Sequence, residues 1–180
     1  MQIHPVRYDH PDAVRLNAEV QLEYAERYGD GDLTPMDPSQ FDPPRGLYLV
    51  VYDDEGRPVA SGGWRAQEGS AEGYADGDAE IKRMFVVRDA RGRGLARRVL
   101  AALEDSARQA GRRRMVLETG TKQPEAIALY TSSGYAPAVP KFGIYRHESL
   151  SRCFAKPLGT PAASGQALPP EPSARTAPDR

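Results

Sequence analysis

Apolar and polar positions follow two rhythms along the chain. A short extended run, Gln2 to Tyr8, precedes a stretch in which Val14, Leu16, Val20, Leu22 and Tyr24 recur on a partly helical period, with Asp9 placed to cap its start. Gly29 to Pro44 breaks both rhythms with Gly, Asp and Pro, although Pro38 to Phe41 suffices for one helical turn. Leu47 to Tyr52 and Pro58 to Arg65 flank the turn residues Asp54-Glu55-Gly56-Arg57, the pattern of an antiparallel hairpin. Gly62 and Gly63, inside the second strand, predict a bulge or a close backbone approach.

After a loop from Gly69 to Gly77, the third long strand is Asp78 to Val87, ending at Arg88-Asp89-Ala90. Gly94 to Ala110 is a helix with Leu95, Val99, Leu100 and Leu103 toward the core and Gly111 as its terminator. Arg114 to Glu118 is the next strand. A strand, a crossover helix and another strand force a parallel pair. Pro124 suits the first turn of a helix over Glu125 to Thr131, closed by Gly134, and Tyr135 to Val139 and Ser151 to Lys156 are terminal strands. The predicted fold is α/β with a mixed sheet: antiparallel N-terminal strands, then a βαβ unit. Residues 1–158 form the predicted domain. Residues 159–180 hold five prolines, five alanines and Leu168 as the sole aliphatic side chain beyond alanine, and are expected to be a disordered tail.

Charge and composition narrow the chemistry. Net charge is -1 over 180 residues, which does not suit a protein held on nucleic acid by phosphate contacts. The arginines cluster, however. Arg83, Arg88, Arg91, Arg93, Arg97 and Arg98 form one run, and Arg108, Arg112, Arg113 and Arg114 a second. That pattern suits a local field around a small anion. Cys153 is the only cysteine, so an intramolecular disulfide is impossible, and one Cys with three His argues against structural zinc. No metal is expected. Met1 to His10 lacks the apolar core of a signal peptide, and no apolar run approaches the ~20 residues of a membrane span. The expectations are a cytoplasmic protein, monomeric or homodimeric, without nucleic-acid or membrane partners.

Arg91-Gly92-Arg93-Gly94-Leu95-Ala96 lies between a strand and an amphipathic helix. Glycines permit tight geometry there, and the first N–H groups of a helix lack internal partners and favour an anion. A Walker loop would need Lys-Ser or Lys-Thr after the glycines, and a dinucleotide fingerprint a third glycine. Neither is present. A glycine pair alone reads equally well as a turn on a charged surface.

In context, the chain resembles the GNAT superfamily of N-acetyltransferases. The family signature is Gln or Arg, two residues, Gly, one residue, then Gly or Ala, filled here by Arg91, Gly94 and Ala96. The resemblance implies that backbone amides of Gly92, Arg93, Gly94, Leu95, Ala96 and Arg97 bind the coenzyme A pyrophosphate. It also implies that main-chain groups of Phe85, Val86 and Val87 bind the pantetheine arm. Gln123 to Tyr130, followed by Gly134-Tyr135, resembles the family's last conserved block, which makes Tyr130 the acid that protonates the departing thiolate. Gln123 stands where the family commonly has Asn, and its amide is the counterpart expected to bond to the cofactor or the backbone, with a reach changed by the extra methylene.

An attacking amine must lose a proton. Glu80 is the first candidate base, because an even spacing from Val86 on one strand puts both side chains on one face. Glu118, at the end of the parallel strand, is the second. Trp64, Tyr74, Phe142 and Tyr145 are candidate walls of an acceptor pocket, each of which also reads as ordinary packing. The implied activity is transfer of acetyl from acetyl-CoA to a primary amine, on a small molecule or a peptide, by direct attack in a ternary complex. The alternatives are a non-catalytic acyl-CoA-binding module, or the same fold with another acyl group or nucleophile.

Overall fold

A computed structural model describes residues 1–159, whose strands form one seven-stranded sheet. In chain order they are β1 (Gln2–Pro5), β2 (Gly46–Tyr52), β3 (Pro58–Gln67), β4 (Asp78–Val86), β5 (Arg114–Gly120), β6 (Ala136–Pro137) and β7 (Ser151–Pro157). The helices are α1 (Pro11–Tyr28), α2 (Leu95–Gln109) and α3 (Pro124–Ser132). The spatial order is β1-β2-β3-β4-β5-β7-β6, antiparallel throughout except for the β4–β5 pair that α2 connects. This is the mixed α/β architecture expected from the patterning. From residue 160 onward, the predicted tail lies outside the described residues.

α1 buries Ala13, Leu16 and Val20, one stripe at helical spacing, while Val14 and Leu22 point outward. Its cap is His10, whose Nδ1 accepts from the Asp12 N–H at 3.2 Å, with Pro11 in the first turn. Asp9, the expected cap, is instead held by Arg7 through bonds of 2.9 and 3.0 Å. α2 buries Leu95, Val99, Leu100, Leu103 and Ala107, as its period predicts. The two helices take opposite faces of the sheet. Tyr48 donates to Asn17 of α1 at 2.9 Å, whereas Trp64, on the other face, donates to Ser106 of α2 at 3.1 Å.

The glycine pair of β3 marks both predicted features, one of them displaced. A Cβ on Gly63 would lie 2.5 Å from the Tyr48 ring and 2.8 Å from the Leu47 carbonyl, so β3 needs its backbone bare there. The bulge is in the partner strand. Ser61 pairs with Phe85 and Gly63 with Lys82, so Gly62 alone stands opposite Arg83 and Met84, with Arg83 at φ 59.

β4 and β5 pair only at Asp78↔Arg114, Ala79↔Met115 and Glu80↔Val116, and then diverge. A fork of Arg114 onto Asp78, at 2.8 and 2.9 Å, clamps the closed end. The expected strand from Tyr135 to Val139 shrinks to Ala136–Pro137, because Pro137 and Pro140 have no N–H to give a ladder. The open end of the β4–β5 gap is where the sheet departs from regular pairing, and the site is built around it.

Candidate active site

One side of the gap is a cavity of about 300 Å³ lined by the Arg91–Arg97 turn, by Met84 to Val86 of β4, by Gln123 and Tyr130 of the α3 segment and by Val20, Glu23 and Tyr24 of α1. Gly92 and Gly94 have φ of 75 and 76, a left-handed conformation that favours glycine. A Cβ on either would meet nothing of the protein, so their role is conformational. Gly94 caps α2 without any side-chain hydrogen bond, which leaves the first helical amides facing outward as donors. The α2 dipole adds a partial positive charge at the same point. An uncapped helix start beside Arg91 and Arg97 therefore fits a diphosphate of the coenzyme A type.

The strand edge supplies a second row of groups. The Val87 N–H donates to the Val59 carbonyl at 3.0 Å, so Val87 faces β3, and by alternation so does Phe85. Of the three residues predicted to bond a pantetheine arm, Val86 alone turns its backbone to the gap, and its carbonyl accepts from Arg91 Nε at 2.9 Å. Val87 borders a neighbouring hollow rather than this cavity, and Arg93 points to solvent. Gln123 starts α3, and its side-chain oxygen accepts from the Thr119 hydroxyl at 3.1 Å. Tyr130 is 5 % exposed, packs edge-on against Tyr135, and has its hydroxyl pKa raised by burial. The α1 residues of this wall belong to no motif. Their signal is the ion pair of Glu23 with Arg91, at 2.6 Å, which joins residues far apart in the chain.

Glu80 is placed differently from the expectation. The bulge at Arg83 inserts one residue, so Glu80, opposite Arg65, and Val86, opposite Ala60, lie on opposite faces. Glu80 is 2 % exposed and held by three donors: Arg65 Nε and Gln67 Nε2 each donate to one oxygen at 2.8 Å, and the Tyr74 hydroxyl donates to the other at 2.9 Å. Burial raises its pKa, but the charges of Lys82 and Arg65 and the donated hydrogen bonds outweigh that and hold it below the ordinary carboxylate value.

Glu118 shares that face, because Glu80 pairs with Val116 and each strand advances two residues. It is half-buried and accepts one hydrogen bond, from Ser151 at 3.0 Å. Burial pushes its pKa up to about 7, with Glu80 and Asp32 adding to the rise and Ser151 and Lys82 opposing it. The loop after α1 closes this side. Asp32 lies 3.4 Å from Lys82 and 3.1 Å from Arg83, and the Leu33 N–H donates to the Tyr145 hydroxyl at 2.7 Å. Among the expected wall residues, Tyr145 reaches this loop and Tyr74 reaches Glu80. Phe142 packs with Tyr74 below Glu118, and Trp64 is buried on the opposite face against α2.

The groove is thus lined from both helices, α1 and the start of α2, and the ionisable cluster of Glu80, Lys82 and Glu118 stands on the α1 face beside it. Comparison with known proteins gives the arrangement its family. The chain is 48 % identical over 82 residues to an IAA acetyltransferase of Azospirillum brasilense, a match covering 46 % of this chain and 53 % of that protein. It is 32 % identical over 133 residues to the uncharacterized N-acetyltransferase YjgM of Escherichia coli, covering 71 % of this chain and 76 % of that one. A solved Klebsiella pneumoniae structure assigned to the acyl-CoA N-acyltransferases superposes with TM-score 0.69 at 30 % identity, covering 88 % of this chain and 97 % of its own. The model of the acetyltransferase (GNAT) family matches residues 14–135, and the chain belongs to that family.

Proposed function

We propose that the protein transfers an acetyl group from acetyl-CoA to a primary amine by direct attack within a ternary complex. The observation that carries this reading is the position of the gap. The uncapped start of α2 and Tyr130 line one cavity together with α1 and β4, and Glu118 stands on the α1 face where β4 and β5 have parted. Acetyl is the group in the names of the Azospirillum brasilense and Escherichia coli relatives. Bound acetyl-CoA supplies an activated acyl group as a thioester.

The chain's own residues do the rest. The amides from Gly92 to Arg97 hold the diphosphate, and Arg91 and Arg97 offset its charge. Val86 presents its N–H to the gap and polarises the acyl carbonyl. The acceptor attacks as the neutral amine, and Glu118 accepts the proton that its nitrogen sheds as the amide forms. A carboxyl poised near neutrality suits that work better than Glu80, which is kept ionised and already accepts from Arg65, Gln67 and Tyr74. Glu80 instead orders the face by fixing Arg65 and Tyr74. Tyr130 donates its hydroxyl proton to the departing sulfur, and a phenol kept protonated by burial holds that proton until it is needed.

The test is acceptor-dependent release of free thiol from acetyl-CoA across an amine panel, with acetylated product identified by mass spectrometry. Acetylated amine is the expected result. Tight acetyl-CoA binding without acceptor-dependent thiol would reduce the protein to a cofactor-binding module. In single-turnover experiments Tyr130→Phe slows transfer at unchanged acetyl-CoA affinity; an unchanged rate removes Tyr130 as the acid.

A further inference from the structure

The face that receives the amine holds cationic donors that its own acceptors leave poorly satisfied. Lys82 Nζ lies 3.4 Å from Asp32 Oδ2, 3.4 Å from Thr34 Oγ1 and 3.8 Å from Glu80 Oε1. Charge-assisted N–H···O bonds usually measure ~2.7–2.9 Å, so this ammonium sits among three oxygens and is closely held by none. Arg83 Nη1 approaches the same Asp32 oxygen at 3.1 Å as an ion pair without hydrogen-bond geometry, and its buried Nε meets no hydrogen-bond acceptor among the described residues. One carboxylate oxygen therefore answers to two cations. Glu80 offers little relief, because three donors already occupy it. Buried donors left without acceptors are costly, and a ligand that brings acceptors to them gains what they lack. Lys82 also lies on the same face as Glu118, two residues beyond the last β4–β5 pair, as Glu118 does on its own strand.

From these poorly satisfied donors we infer that the acceptor is an amino acid, its carboxylate held by Lys82 while its amine lies against Glu118. The inference rests on the acetyl-transfer reading and deepens it by naming the acceptor class. The carboxylate enters where the ammonium is loosely held, with Arg83 and Asp32 behind it. An acceptor without an anionic group leaves them poorly satisfied.

The experiment compares free amino acids with their own carboxamides, and both with a polyamine, each rate expressed per unprotonated amine. The parent is expected to favour the amino acid in kcat/KM by about tenfold or more, mainly through KM. Lys82→Met brings the acid-to-amide ratio to within about twofold of unity, and Lys82→Arg restores part of it. A merely structural role for Lys82 lowers both rates and leaves the ratio alone, which overturns the inference. So does equal use of acid and amide by the parent, or turnover confined to the polyamine, while acetyl transfer itself stands. Turnover with no amine at all removes both.

Discussion

Arg91 Nε donates to the carbonyl oxygen of Val86 at 2.9 Å, closing the first residue of the turn back onto the strand it leaves. Its Nη2 reaches Glu23 on α1 at 2.6 Å, and Glu23 is itself paired with Arg27 at 2.7 Å. One guanidinium thus ties strand, turn and helix together around the cavity. Lysine keeps the charge but offers a single nitrogen and no fork. Arg91→Lys is therefore expected to raise KM for acetyl-CoA by about three- to tenfold, with little change in melting temperature, since the residue is partly exposed. An unchanged KM would mean that the turn keeps its shape without the clamp.

Gly94 and Gly63 need glycine for different reasons, and alanine at each separates them. At Gly94 the backbone is left-handed but a Cβ meets no atom of the protein. Gly94→Ala should cost about 1–2 kcal/mol of stability from conformation alone and weaken acetyl-CoA binding in addition, because Gly94 lines the cavity. At Gly63 the added Cβ would press on the Tyr48 ring and the Leu47 carbonyl. Gly63→Ala should therefore lower thermal stability more than Gly94→Ala, while acetyl-CoA affinity of the folded fraction changes less. Equal melting temperatures for the two variants would refute the distinction.

The turn and the helix behind it were legible because local rules determine them: glycines at left-handed positions, then Leu95, Val99, Leu100 and Leu103 on one helical stripe. The same holds for the hairpin and the parallel β4–β5 pair. What the sequence concealed is set by partners distant in the chain. The bulge was signalled by Gly62 and Gly63 yet sits across the ladder at Arg83, a residue type that gives no hint of positive φ. That single inserted residue reverses the face of Glu80 relative to Val86, and so undoes a spacing argument valid for a regular strand. The contacts of Asp32 with Lys82 and Arg83 join a loop after α1 to β4, and no periodicity reports them. His10 replaces Asp9 as the cap because Pro11 fixes the first helical position and Arg7 occupies the aspartate.

Glu80 is expected to behave as structure. Arg65 is 5 % exposed, and its ion pair with Glu80 is buried at both ends. Glu80→Gln leaves the guanidinium uncompensated, so a loss of about 3 kcal/mol is expected near neutral pH. Because the folded-state pKa of Glu80 is depressed, its contribution is present above the ordinary carboxylate value and lost as pH falls through the folded value. Parent and variant should therefore converge in stability in acid. Whatever turnover the variant keeps should retain the parent's dependence on pH around neutrality. Loss of that dependence would return Glu80 to the role of base.

Glu118 makes the opposite prediction. Burial raises its carboxyl from 4.5 to about 7, so the protonated form favours the folded state. That contribution is full below pH 4.5 and disappears as pH rises through about 7, where folding must carry a partly desolvated charge. Glu118→Gln should thus match the parent in thermal melts around pH 4 and exceed it at about pH 8, without ligands. Catalysis runs the other way. The parent's kcat/KM for the acceptor should climb with an apparent pKa of about 7, once the acceptor's own ionisation is factored out, because only the carboxylate takes the proton. The glutamine variant should lose that limb and at least about tenfold in rate on the plateau. A variant that gains alkaline stability while losing the neutral limb ties both effects to one carboxyl. A limb that survives Glu118→Gln assigns the proton to another group and leaves Glu118 with packing alone.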